Sequence, residues 1–169
     1  MGVTGTTANK GNVQALLQAA REVTDYVREN HFSYGDAPLN PAINHDAKLV
    51  SCDRCVGWFI YKIGYTDQPE RSGLGLGALQ NYPANHGFKK ITSASEVQPG
   101  DIMFVNPMSN GNPGHTYLLG NSLGNGSWER YDCGNVNMIR LTNQYSGYSH
   151  QPLHEQLGRF IYAYRLPGA

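Results

Sequence analysis

The 169-residue chain is predicted to be an α+β protein, with N-terminal helices packed on an antiparallel β-sheet. Three observations carry that expectation. Apolar residues recur at helical spacing in two segments before residue 65, and short aromatic and β-branched runs separated by Gly, Asn and Pro fill the second half. Helices first and strands later argue against a parallel doubly wound sheet, in which the two alternate.

Each element follows from its residues. Residues 1–12, "MGVTGTTANKGN", are small and polar and read as a flexible lead-in or linker, leaving 13–169 as a single domain. From Val13 to Glu29, the residues Val13, Leu16, Leu17, Ala20, Val23 and Val27 form one helical stripe, with Asn12 as N-cap. Residues 30–50 hold Gly35, Pro38 and Pro41 and are expected to be irregular, with "FSYGD" a turn. Ser51 offers a second N-cap; the stripe Cys55, Val56, Phe59, Ile60 and Ile63 follows, and Gly64 is the expected C-cap. This second helix is apolar around most of its circumference and belongs in the interior. Residues 66–95 read as a short helix and turn. "GDIMFVN", "HTYLLGN", "SWERYDCGN" and "FIYAYRL" are the expected strands.

Composition narrows the function classes. Thirteen basic and thirteen acidic side chains give zero net charge, so no strong field draws nucleic acid or an anionic membrane. Eleven Tyr and twenty Gly suit contact with a carbohydrate or peptide polymer better than with a polyanion. No window reaches the roughly 18 apolar residues of a membrane span, and the N-terminus lacks the pattern of a secretory signal. The expectation is a protein that stays where it is made, leaves by another route, or forms part of a longer chain. Three cysteines are too few for a disulfide framework and leave at least one thiol free.

Two of them, Cys52 and Cys55, form a C-x-x-C within "SCDRCVGWFIYKIG". A redox pair needs a preceding strand in a βαβ unit, and none is predicted there. Cys52, Cys55, His115 and Cys133 would supply four zinc ligands of accepted types, although His115 and Cys133 are not a compact pair. Both sulfurs can also be plain core residues, since free Cys is often buried. That suits Cys55, which shares a face with Val56 and Phe59. Cys52 instead lies at the exposed opening of the helix, where unpaired N–H groups and the helix dipole favour thiolate, the attacking form.

A thiol nucleophile requires a base and an orienting group. Of six histidines, His31, His45, His86, His150 and His154 lie in polar, loop-like surroundings, whereas His115 opens a strand after Pro113 and Gly114. Gly114 beside it is expected to let the backbone approach a substrate. "HTYLLGN" and "SWERYDCGN" flank the turn "SLGNG" as a hairpin. With His115 directly opposite Asp132, the turn centres between Leu123 and Gly124 and the β-carbons lie about 4.5–5.5 Å apart. Asp132 is then the orienter, as in other triads; Glu129 is the alternative, in a less natural register.

With these residues placed, the chain resembles the NlpC/P60 and CHAP cell-wall cysteine peptidases and amidases over roughly residues 13–166. The family's Cys-led helix is matched from Cys52 by Val56, Trp58 and Gly64, four, six and twelve residues on. Phe32, Tyr34 and Gly35 resemble its cleft turn, "VQPGDIMFV" and "PGHTYLLG" its central strands, and "YDCG" the strand of its third polar residue. Ser51, Asp53 and Arg54 depart from the family pattern around the nucleophile. The resemblance implies a papain-like NlpC/P60-type fold and a peptidoglycan hydrolase. It implies Cys52, His115 and Asp132 as catalytic residues and Tyr34 and Trp58 as substrate-binding residues, with a core position for Trp58 equally open. No cofactor or metal is implied. The partner would be bacterial peptidoglycan, met by a monomeric lysin released by or carried on a phage, or by a domain of a secreted protein. A zinc-stabilised or catalytically inactive wall-binding module is the alternative.

Overall fold

The computed structural model describes residues 10–34, 49–65, 83–124, 127–133, 149–152 and 159–169. Helix α1 spans Val13–Glu29, and Asn12 caps it by accepting the Ala15 N–H at 2.9 Å on Oδ1. Its stripe at Leu16, Leu17, Ala20, Val23 and Val27 is buried. Helix α2 spans Cys52–Lys62. It ends in a Schellman pair: Gly64, at φ +89°, donates to the Tyr61 carbonyl, and Tyr65 donates to that of Ile60. Ser51 stands at the N-cap position, but its hydroxyl donates to Asp53 Oδ1 (2.7 Å) rather than accepting a helix N–H.

Strands β1 (Ser33–Tyr34) and β2 (Leu49–Val50) form a two-residue parallel pair, so the ends of the segment expected to be irregular are tied together. The main sheet contains β3 (Lys89–Ile91), β4 (Ile102–Pro107), β5 (Pro113–Gly124), β6 (Ser127–Tyr131), β7 (Ser149–Pro152) and β8 (Phe160–Arg165). Their order is β3-β8-β4-β5-β6-β7, and every neighbouring pair is antiparallel. The fold is therefore α+β, as expected. The four expected strands are β4, β5, β6 and β8; the edge strands β3 and β7 were not anticipated, since "KKI" and "SHQP" carry no apolar alternation.

The two sheet faces are distinct. Ile102, Phe104, Leu118, Tyr131 and Tyr164 pack with α1 and α2 in one apolar cluster that includes Cys55, Val56, Phe59 and Ile60. Met103, Val105, Tyr117, Leu119 and Ala163 form a second cluster on the opposite face. Asn106 leaves β4 at φ +60° and exchanges two hydrogen bonds with the Arg159 backbone, beside the register shift between β4 and β8.

Asp101 of the "PGD" motif is fully buried. Arg165 donates to it through Nε (2.8 Å) and Nη2 (2.9 Å), and Nη2 also reaches the Glu96 carbonyl. Gln98 N–H donates to the same carboxylate (2.8 Å). The clamp ties the start of β4 to the end of β8.

Candidate active site

The site forms where β5 and β6 part. Their last paired residues at this end are Leu118 and Tyr131, with Leu119 opposite Arg130. In that register Asp132 falls opposite Tyr117, two residues from the pairing the turn alone predicts. Parity is preserved by a shift of two, so His115 and Asp132 still share a face as diagonal neighbours. His115 Nε2 lies 3.0 Å from Asp132 Oδ2. The imidazole is partly exposed while the carboxylate is fully buried, which leaves Nδ1 as the nitrogen for other chemistry. Glu129, the alternative orienter, points to the other face and accepts the Asn121 N–H at 3.2 Å.

Arg130 completes the carboxylate's surroundings. Its Nε (3.1 Å) and Nη2 both donate to Asp132 Oδ2, and its guanidinium lies over the Tyr117 ring, 4.6 Å from the centroid. Arg130 is 5% exposed. Burial is the largest influence on the Asp132 carboxyl and by itself pushes it up; the charge of Arg130 and the bond and charge of His115 outweigh burial and hold it well below the usual carboxylate range. Sequence reasoning did not single out Arg130. The usable signal was its place two residues before Asp132 on a strand, which puts both side chains on one face.

Cys52 opens α2 as expected, but it is buried, at 5% exposure, where an exposed thiol was anticipated. Burial, and then the charge of Asp53, pushes its thiol up to about 12, with Asp132 adding to the effect. The backbone N–H groups of Thr116 and Asp53 act in the opposite sense and favour the thiolate. The expectation of a resting thiolate is thus corrected: desolvation exceeds what the helix start supplies. Asp53 is itself pushed up by burial, against the hydrogen bond from Ser51.

The Thr116 N–H brings the Cys52 sulfur to the residue next to His115 in β5. The two side chains do not approach across one flat face. His115 pairs with Val105 and lies on the face of Met103 and Tyr117, whereas α2 covers the opposite face. Among the described residues no hydrogen bond joins them; what links the two is that the Cys52 sulfur meets the backbone N–H of Thr116, the residue after His115. Catalytic hydrogen bonds in ligand-free sites are often long and tighten with substrate.

Gly114 has a structural reason of its own. A Cβ there would stand 2.6 Å from the Asn106 carbonyl oxygen, so β4 itself makes a close approach. Trp58 sits on α2 partly buried against the core cluster, edge-on to Tyr26 of α1 with ring centroids 5.7 Å apart. It contributes to the contact between the two helices. Tyr34 lies on β1, and its side chain is outside the described residues.

The remaining cysteines are core residues. Cys55 and Cys133 are fully buried in the helix-side cluster. Burial, followed by the Cys133 thiol beside it, holds the Cys55 thiol well above its ordinary value. All three cysteines are free. Among the described residues, no three His, Cys, Asp or Glu side chains gather to hold a metal ion, so the four candidate zinc ligands are not assembled. No helix among the described residues is long and apolar enough to cross a membrane.

Chemically, the set offers a protonated thiol at a helix start, a partly exposed imidazole on the neighbouring strand, and a buried carboxylate that is held ionised. Those are the parts of a nucleophile, a base and an orienter. No protein-family model matches the chain, and no curated protein matches it.

Proposed function

We propose that the protein is a cysteine hydrolase of papain-like NlpC/P60 type that cleaves an amide bond of the bacterial cell-wall peptide. The observation that carries this reading is the His115–Asp132 hydrogen bond beside a helix-opening cysteine whose sulfur meets the Thr116 N–H. The wall peptide as substrate rests on the resemblance of the Cys52, "PGD" and "GHTYLLG" segments to that family.

In the proposed reaction His115 Nδ1 accepts the Cys52 proton as the sulfur attacks the amide carbonyl. Backbone N–H groups at the start of α2 hold the developing oxyanion. Asp132, bonded to Nε2, fixes the imidazole and stabilises the imidazolium. His115 then gives the proton to the departing amine, leaving a thioester on Cys52. Water, deprotonated by His115, attacks the thioester; the C–S bond breaks, the acid is released, and His115 returns the proton to the Cys52 sulfur. The thiol starts protonated, so proton transfer accompanies attack rather than preceding it.

Purified peptidoglycans of several wall chemistries, digested and analysed by mass spectrometry, test this reading and identify the bond. A new amine and a new carboxyl terminus at one peptide amide, or at the lactate–L-alanine amide, are expected. Absence of new termini from every wall type, with the protein folded, would refute it.

A further inference from the structure

We infer that Arg130 is a positioning residue of this site: its forked donation to the buried Asp132, with the guanidinium seated on Tyr117, is what keeps that carboxylate a fixed, ionised acceptor for His115. The inference rests on the hydrolase reading for its kinetic consequences but not for its structural ones.

Asp132 is fully buried, and a carboxylate in such a place takes up a proton unless a charge and hydrogen bonds oppose it. The titratable and charged groups that bear on it come from three elements. Arg130 precedes it on β6, His115 and Tyr117 face it from β5, and the charges of Cys52 and Cys55 act on it from α2. The thiols and the phenol are anionic when they ionise, so they only oppose a second negative charge. Of the two cationic partners, His115 must cycle between neutral and charged during the reaction. Arg130 is the group that stays charged throughout.

Geometry extends the point. Arg130 Nε and Nη2 both bind Oδ2, the oxygen that also meets His115 Nε2. Two N–H groups of one guanidinium converge on that oxygen and fix its position, while the permanent charge keeps it ionised. The Tyr117 ring beneath the guanidinium, 5.9 Å from the His115 ring, fixes the fork in turn. The imidazole is thereby held with Nε2–H toward Asp132 and its Nδ1 lone pair available to the Cys52 thiol. A carboxyl that took up its proton would offer a donor to Nε2 and favour the opposite tautomer.

The test uses Arg130→Gln and Arg130→Lys in the full chain, with two readouts. Nitrogen-15 NMR of labelled histidine reports the His115 tautomer without any substrate. In the wild type the neutral imidazole is expected as the single Nε2–H form. R130Q is expected to show the Nδ1–H form or a mixture, and R130K to restore the wild-type form. On wall peptide, R130Q is expected to lower kcat by about 10²-fold with KM nearly unchanged. The acid-side loss of activity should move up by about one pH unit or more, because Asp132 must be ionised and has lost the charge that held it so.

An unchanged tautomer and an unchanged acid limb in folded R130Q would overturn the inference. Should R130Q not fold, R130K carries the test, and a mixed tautomer in folded R130K contradicts it. A wild type that cleaves no wall peptide, but whose tautomer responds to the variants as stated, removes the hydrolase reading and leaves the role of Arg130 standing.

Discussion

Two buried Arg–Asp pairs lie in the same sheet, and they differ in what the carboxylate has left to give. Asp101 receives both arms of Arg165 and the Gln98 N–H, and Arg165 spends its remaining reach on the Glu96 carbonyl. Asp132 receives Arg130 on one oxygen and shares that oxygen with a partly exposed histidine. The first pair closes on itself and ties the start of β4 to the end of β8. The second passes its charge to an imidazole. Similar buried partners thus serve anchoring in one place and orientation in the other, and the attached imidazole marks the difference.

The sharpest way to break the comparison is to remove the imidazole and, separately, the anchoring carboxylate. His115→Ala is expected to reduce kcat by about 10⁴-fold or more and to change stability by less than about 1 kcal/mol, because the Arg130–Asp132 pair stays intact. Asp101→Asn is expected to cost about 3–5 kcal/mol by leaving Arg165 buried without its charge partner, with kcat of the folded fraction unchanged. Chemical denaturation alongside amide cleavage measures both. Equal losses of activity in the two variants would dissolve the distinction.

A second difference lies in the reach of each charge. Asp132 is among the groups that hold the Cys52 thiol up near 12, after burial and Asp53. A group whose folded value is raised contributes stability in full below its unfolded value, near 9.0 here, and loses it as pH rises toward 12. Alkylation of Cys52 by iodoacetamide should accordingly be slow at neutral pH and climb about tenfold per pH unit above it. Asp101→Asn should leave that profile in place. Peptide mapping by mass spectrometry at several pH values measures it, and rapid labelling of resting Cys52 at pH 7 would contradict the buried, protonated thiol.

The smallest expected effect concerns how β5 holds His115. Gly114→Ala drives a Cβ toward the Asn106 carbonyl and should cost about 1–3 kcal/mol by overpacking. The displaced strand end should also lower kcat, by less than His115→Ala does. Thermal unfolding and kinetics decide it; a neutral Gly114→Ala would mean that β4 does not position the histidine.

Much of this was legible in the residues, for identifiable reasons. The α1 stripe and the Asn12 cap are local features that tertiary contacts reinforce, so the helix ends were readable. His115 and Asp132 could be paired because, after two register shifts along β5–β6, the register at the open end lies two residues from the one inferred and so keeps both side chains on one face. Glu129 was open only because parity was not yet fixed, and its bond to Asn121 resolves it. What the residues did not disclose is depth. Cys52 looked exposed because it begins a helix, yet that helix start is packed against the sheet end, and desolvation reversed the expected charge of its thiol. Trp58 fitted a family position and an apolar stripe equally, and its contact with Tyr26 shows the packing side of that pair. β3 and β7 escaped notice because edge strands need no apolar alternation.

The central claim is that Cys52, and not its neighbour one turn along, is the nucleophile. Amide cleavage of purified peptidoglycan by Cys52→Ala and Cys55→Ala, each checked for folding, tests it most directly. The account predicts no new termini with Cys52→Ala and retained cleavage with Cys55→Ala. Cleavage that persists in Cys52→Ala and disappears in a folded Cys55→Ala would contradict it.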